Sequence, residues 1–81
     1  MAEPDLELER EIDARGLEPP EPLMRVLDAL AALPKNGRLR LLIHREPLPL
    51  YSLLQTEGWH YVARPHGEGE FEIVIARSPP A

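Results

Sequence analysis

The side chains with chemistry to offer fall in three short stretches. The first is "DARGLEPPEP", with Asp13, Arg15, Glu18 and Glu21. The second is "HRE", His44 to Glu46. The third is "HGEGE", with His66, Glu68 and Glu70. Imidazole beside carboxylates suits zinc, copper or iron, and a histidine can also ligate haem. The spacing selects no metal, since no His-x-x-x-His occurs. His44 has two readings: a strand-end histidine hydrogen-bonded to a neighbouring loop, or a ligand or proton carrier with His66 as its companion at a metal. His66 by itself reads as a solvated histidine in a glycine-containing loop, and Arg45 and Glu46 as a local charge pair. No glycine-rich phosphate loop is present, and no pattern signals the cleft with two tuned groups that acid–base catalysis requires. The chain has no cysteine. That removes disulfides, thiolate metal sites, iron–sulfur clusters and a cysteine nucleophile together.

These groups must be positioned by a small scaffold. The 81 residues make one domain, read as residues 6–77 between mobile ends at 1–5 and 78–81. Only Tyr51, Trp59, Tyr61 and Phe71 are aromatic, so aliphatic side chains must fill the core. The net charge of −5 repels phosphate, which argues against nucleic acid and anionic membranes as partners. No apolar run reaches the ~18–20 residues of a membrane span. The acidic opening "MAEPDLELERE" does not read as a secretion signal, and the expected location is cytoplasmic.

Periodicity defines the elements. "LELEREIDA" alternates, with Leu6, Leu8, Ile12 and Ala14 on one face, as a half-buried strand does; Arg10 breaks the apolar side, so the ordered strand starts near it. From Glu21 to Leu33 the period lengthens, and Leu23, Val26, Leu27, Leu30 and Leu33 form one helical stripe ended by Pro34. "RLRLLIH" alternates again. "REPLPLYSLLQTEG" holds a short second helix, with Leu50, Leu53 and Leu54 inward and Gly58 as its stop. "WHYVARP" and "EFEIVIAR" are strands joined by a "HGEG" hairpin. The order βαβαββ predicts an α/β (α+β) two-layer sandwich: a four-stranded mixed sheet with two helices on one face. The open face then carries Arg40, Leu42, Val74 and Glu72, with cross-strand pairs such as Arg40 with Glu72 or Glu11. Leu42 and Val74, with Val62, make that face partly apolar, which suits scattered exposed aliphatics or a contact surface.

The run "DARGLEPPEPLMRVLDALAALPKNGRLRLLI" resembles the opening of the small TusA/SirA-like sulfur-carrier proteins. In that family a strand ends in Asp, a Gly-Leu step follows, and Cys-Pro-x-Pro starts the first helix of a βαβαββ sandwich. The resemblance covers residues 10–77 and is strongest over the first forty. It implies a site at the helix start where a cysteine thiolate carries persulfide sulfur, favoured by the positive end of the helix dipole. This chain has Pro19-Pro20-Glu21-Pro22 there. The rigid start is kept and the nucleophile is gone. "RGLEPPEP" and "HREPLPLY" are closer still to a cysteine-free branch of the group, an uncharacterised bacterial domain-of-unknown-function family. That resemblance implies a link to hemerythrin-like proteins and to redox or nitrogen-oxide metabolism.

The expected function is a non-catalytic accessory domain acting by contact with another protein. Its contact surfaces are the edge formed by Arg15, Glu18, Pro19, Pro20, Glu21, Pro22, His44, Arg45 and Glu46, and the open face at Arg40, Leu42 and Val74. The alternative is a small metal- or haem-binding protein using His44 and His66. The sequence requires no cofactor and leaves the oligomeric state open. Because Pro19 has no heteroatom, incubation with a cysteine desulfurase and cysteine should leave the intact mass unchanged; an adduct of one sulfur atom would overturn this expectation.

Overall fold

The computed structural model describes residues 9–77; Leu6, Leu8 and the two ends expected to be mobile lie outside them. The elements follow in the predicted order: β1 Glu9–Asp13, α1 Glu21–Ala31, β2 Arg38–Ile43, α2 Leu48–Thr56, β3 His60–Pro65 and β4 Phe71–Ala76. They form one four-stranded sheet in the order β1-β2-β4-β3. β1 pairs parallel to β2, with Ile12 opposite Leu41. β4 runs antiparallel to both its neighbours, setting Leu41 opposite Ile73 and Val62 opposite Val74. The sheet is mixed for that reason, and β3 points the same way as β2.

The alternation in β2 and β4 puts Leu39, Leu41, Ile43, Ile73 and Ile75 on one face. Both helices meet that face: Val26, Leu30 and Leu33 from α1 and its last turn, with Leu50 and Leu54 from α2, join the same buried cluster. The result is a two-layer α+β sandwich with a single aliphatic core. Tyr51 and Tyr61 stack at its margin, with ring centroids 4.9 Å apart and planes within 8°; Gln55 Nε2 donates to Tyr61 Oη at 2.9 Å.

Two details of α1 differ from the sequence pattern. The helix stops at Ala31 rather than Leu33. Its last turn tightens, with Ala32 N–H donating to Ala29 and Leu33 N–H to Leu30, each at 3.2 Å, as helix ends do when Pro34 cannot continue the ladder. Leu27 is 38% exposed. The contact with the sheet is centred on Val26, Leu30 and Leu33, and Leu27 lies about 100° around the helix from Val26.

Leu41 is fully buried between Ile12 and Ile73. Leu41→Ala should therefore cost about 2–5 kcal/mol, a large part of the roughly 4–12 kcal/mol expected of a chain this size. Val62→Ala, at a site 46% exposed, should stay within about 0.5 kcal/mol. Urea midpoints of the two variants check the contrast.

Candidate functional site

Parallel pairing brings the C-terminal ends of β1 and β2 to one edge of the sheet, and both helices start there. Leaving β1, Ala14 N–H donates to Leu42 O at 2.7 Å, extending the ladder by one residue, and Leu17 N–H closes a turn onto Ala14 O at 3.2 Å. Gly16 sits in that turn at φ +88°, a conformation that glycine adopts without a Cβ penalty. Its N–H donates to His44 Nδ1 at 3.3 Å. The histidine at the end of β2 thus holds the first loop, as the hydrogen-bonded reading expected. A ring whose Nδ1 accepts carries its proton on Nε2.

Prolines shape both helix starts. Pro20 and Pro47 occupy the N-cap positions, and Pro22 and Pro49 sit in the first turns. The Pro19–Pro20 peptide bond is cis. Nearby N–H groups are met by local carbonyls: Glu21 donates to Glu18 O at 2.9 Å, Met24 to Pro20 O at 3.1 Å, Leu48 to Glu46 O at 3.0 Å and Leu50 to Pro47 O at 3.0 Å.

Between the two starts lies a cavity of about 330 Å³. Core residues Val26, Leu41, Ile43 and Leu50 line it, together with Leu17 and Leu23 and five prolines, Pro19, Pro20, Pro22, Pro47 and Pro49. Its polar lining is His44, Arg45 and Glu46. Glu46 Oε2 accepts from Tyr51 Oη at 3.3 Å, and burial, with Glu46 next, pushes the Tyr51 hydroxyl up to about 12. Arg45 has no hydrogen bond or ion pair to any described residue, so the expected Arg45–Glu46 charge pair does not form. The cleft has no residue pattern of its own; the nearest signal is the recurrence of Glu-Pro before each helix, Glu18-Pro19 and Glu46-Pro47, where proline removes backbone donors.

Not every expected site residue reaches the cavity. Arg15 turns to the other side of the edge. Its Nε and Nη2 donate to the Asp13 carboxylate at 2.8 and 2.7 Å, and its Nη1 to Glu70 at 3.2 Å. Those bonds hold the Asp13 carboxyl down at about 2. The contact with Glu70 shows that the β3–β4 hairpin returns to this edge. His66 lies in that hairpin, where its N–H donates to Glu70 O at 2.8 Å, and it does not line the cavity. Glu18 is exposed beside the cavity, and Glu21 pairs along α1 with Arg25 at 3.0 Å. Among the described residues, no group of three His, Cys, Asp or Glu side chains is placed to hold a metal ion.

The open face is closed by charge. Glu72, only 8% exposed, accepts from Arg40 Nε and from Arg64 Nε at 2.8 Å, and Arg40 Nη1 reaches Glu11 at 2.7 Å. The two arginines, Arg40 first, hold the Glu72 carboxyl below the usual carboxylate range. Leu42 is 6% exposed rather than an open contact residue. Its register neighbours are Asp13, paired with Arg15, and Glu72, paired with Arg40 and Arg64. Val74 is half-buried and Val62 exposed. No helix among the described residues is long and apolar enough to cross a membrane.

The fold and its proline-lined edge define a small SirA-like domain with no cysteine at the helix start. A SirA-like protein from Desulfitobacterium hafniense, known from its crystal structure, is similar at 26% identity with a TM-score of 0.74, over 82% of this chain and 93% of that one. The chain belongs to the DUF2249 family of uncharacterized conserved proteins, whose model matches residues 11–77. No match was found among curated proteins.

The Glu72 network sets a pH dependence. A carboxyl held lower in the folded chain than in the unfolded chain stabilises above the unfolded value, ~4.3 for Glu, and that contribution is lost as pH falls toward the folded value. The urea midpoint should drop as pH falls from 5 to 2. Glu72→Gln should be less stable than wild type at pH 7 and show a shallower acid drop.

Proposed function

We propose that this chain is a non-catalytic accessory domain that works by protein contact, seating an apolar side chain of its partner in the cavity between the two helix starts. The observation that carries this reading is the cavity itself. Its volume falls at the low end of the ~300–1,000 Å³ of ligand pockets, enough for one or two apolar side chains. Its walls are aliphatic and prolyl, with polar groups confined to His44, Arg45 and Glu46, the lining of a recognition pocket rather than a reaction centre.

Exposed apolar surface supports the same side of the molecule. Met24 is 58% exposed and Leu48 61% exposed. Met24 follows the lining residue Leu23, and Leu48 stands between Pro47 and Pro49. Exposed apolar side chains beside a pocket suit a protein contact. The open face offers less, because Leu42 there is only 6% exposed.

Co-purification distinguishes the two surfaces. Wild type and Val62→Glu, on the open face, should recover the same partner. Pro49→Glu, which sets a charge in the cavity wall at an exposed position, should lose it while staying folded, at a cost of about 1 kcal/mol of stability or less for the lost proline. Equal recovery by all three would remove the cavity from the contact.

A further inference from the structure

We infer that the group seated in this cavity is the C-terminal residue of a partner polypeptide: an apolar side chain, its terminal carboxylate and its own amide N–H. The inference rests on the contact reading above and names what that contact recognises.

It starts from the hydrogen-bonding capacity around the cavity. Five of its lining residues are prolines, which have no N–H to offer. The N–H groups of Leu48, Leu50 and Tyr51 are taken by the Glu46 and Pro47 carbonyls. Three lining side chains carry polar groups: His44, Arg45 and Glu46.

His44 has given Nδ1 to the Gly16 N–H. Its Nε2–H is a donor without a partner among the described residues. The Arg45 guanidinium is exposed and equally without a partner. Two adjacent donors, one of them charged, match a carboxylate, which accepts on both oxygens and binds guanidinium in a charge-assisted pair. Glu46 differs. Its Oε2 is occupied by the Tyr51 hydroxyl, and its Oε1 accepts from no described residue. An acceptor beside two donors asks the ligand for a donor next to its carboxylate. A simple fatty acid lacks that donor. The last residue of a peptide has it, together with a side chain to fill the apolar space. Capture of a C-terminal carboxylate is a recurring mode of peptide recognition.

The test is an amide NMR titration of the full chain with four probes. They are acetyl-Ala-Ala-Leu with a free carboxylate, the same peptide as its C-terminal amide, acetyl-Ala-Ala-Glu with a free carboxylate, and free leucine. The free-acid Leu peptide should shift Gly16, His44 to Glu46 and Leu50, and bind at least tenfold more tightly than its amide or the Glu peptide. Arg45→Gln, an exposed change that the fold tolerates, should bring the acid down to the affinity of the amide. Equal binding of acid and amide Leu peptides at the cavity would overturn the carboxylate and leave the protein-contact reading standing. Free leucine binding as tightly as the peptide would make the ligand a small molecule and overturn the partner chain. No shift at the cavity with any probe at 10 mM would overturn both.

Discussion

The parallel pairing of β1 with β2 decides where everything of functional interest lies. Two adjacent strands pointing the same way must end at one edge, and the segments that leave them must begin there. Both helices of this chain start at that edge. The antiparallel placement of β4 between β2 and β3 then returns the last hairpin to it, where Glu70 meets Arg15. Had β1 paired antiparallel, the two proline-rich starts would stand at opposite ends of the sheet and enclose nothing. Ligands gather at such edges in open α/β sheets for the same geometric reason.

What the edge can bind is then set by proline. A helix start with free N–H groups is an anion site, and a thiolate is well placed there. At Pro20, Pro22, Pro47 and Pro49 the backbone keeps a helix-compatible φ and loses the donor. The carbonyls of Glu18, Pro20, Glu46 and Pro47 take up the N–H groups of Glu21, Met24, Leu48 and Leu50 that remain. The dipole persists, but most of the groups through which it would grip an anion are absent or engaged. The same scaffold position that suits a sulfur-carrying thiolate in the resembling carriers here faces an aliphatic, proline-walled space. The polar side chains lining that space are His44, Arg45 and Glu46.

The sheet was legible in the sequence because its signals are local. Leu39, Leu41 and Ile43 alternate with polar neighbours, and Ile73 with Ile75 repeats the pattern. The pairs of Arg40 with Glu72 and Glu11 followed from strand order alone. The cavity was not legible, because a void between two loops has no residue of its own. It depends on how far apart the chains after β1 and β2 run. Leu42 was misjudged for a related reason. Its position in the alternation places it on the open face, but its burial depends on neighbouring strands: its register partners Asp13 and Glu72 come from parts of the chain remote in sequence. The end of α1 differed because periodicity marks a stripe and not the tightening of a last turn before Pro34.

The two faces of the sheet are therefore finished in opposite ways, and the contrast bears on function. On one face, Glu72 is nearly buried yet holds two arginines, so the charge that would be costly alone is paired. Leu42 on the same face is only 6% exposed, so the apolar surface left open there is small, mainly Val62 with the half-buried Val74. On the other side, Met24 and Leu48 stand exposed, each next in sequence to residues that line the cavity. Binding there displaces water from aliphatic surface at no cost in broken pairs, and burial of that kind contributes ~25 cal/mol per Å². Affinity would come from the cavity, and selectivity from three side chains that the folded chain leaves only partly engaged. A domain of 81 residues has little core to give up, and this one places its binding capacity where the core already ends, between Val26, Leu41 and Leu50.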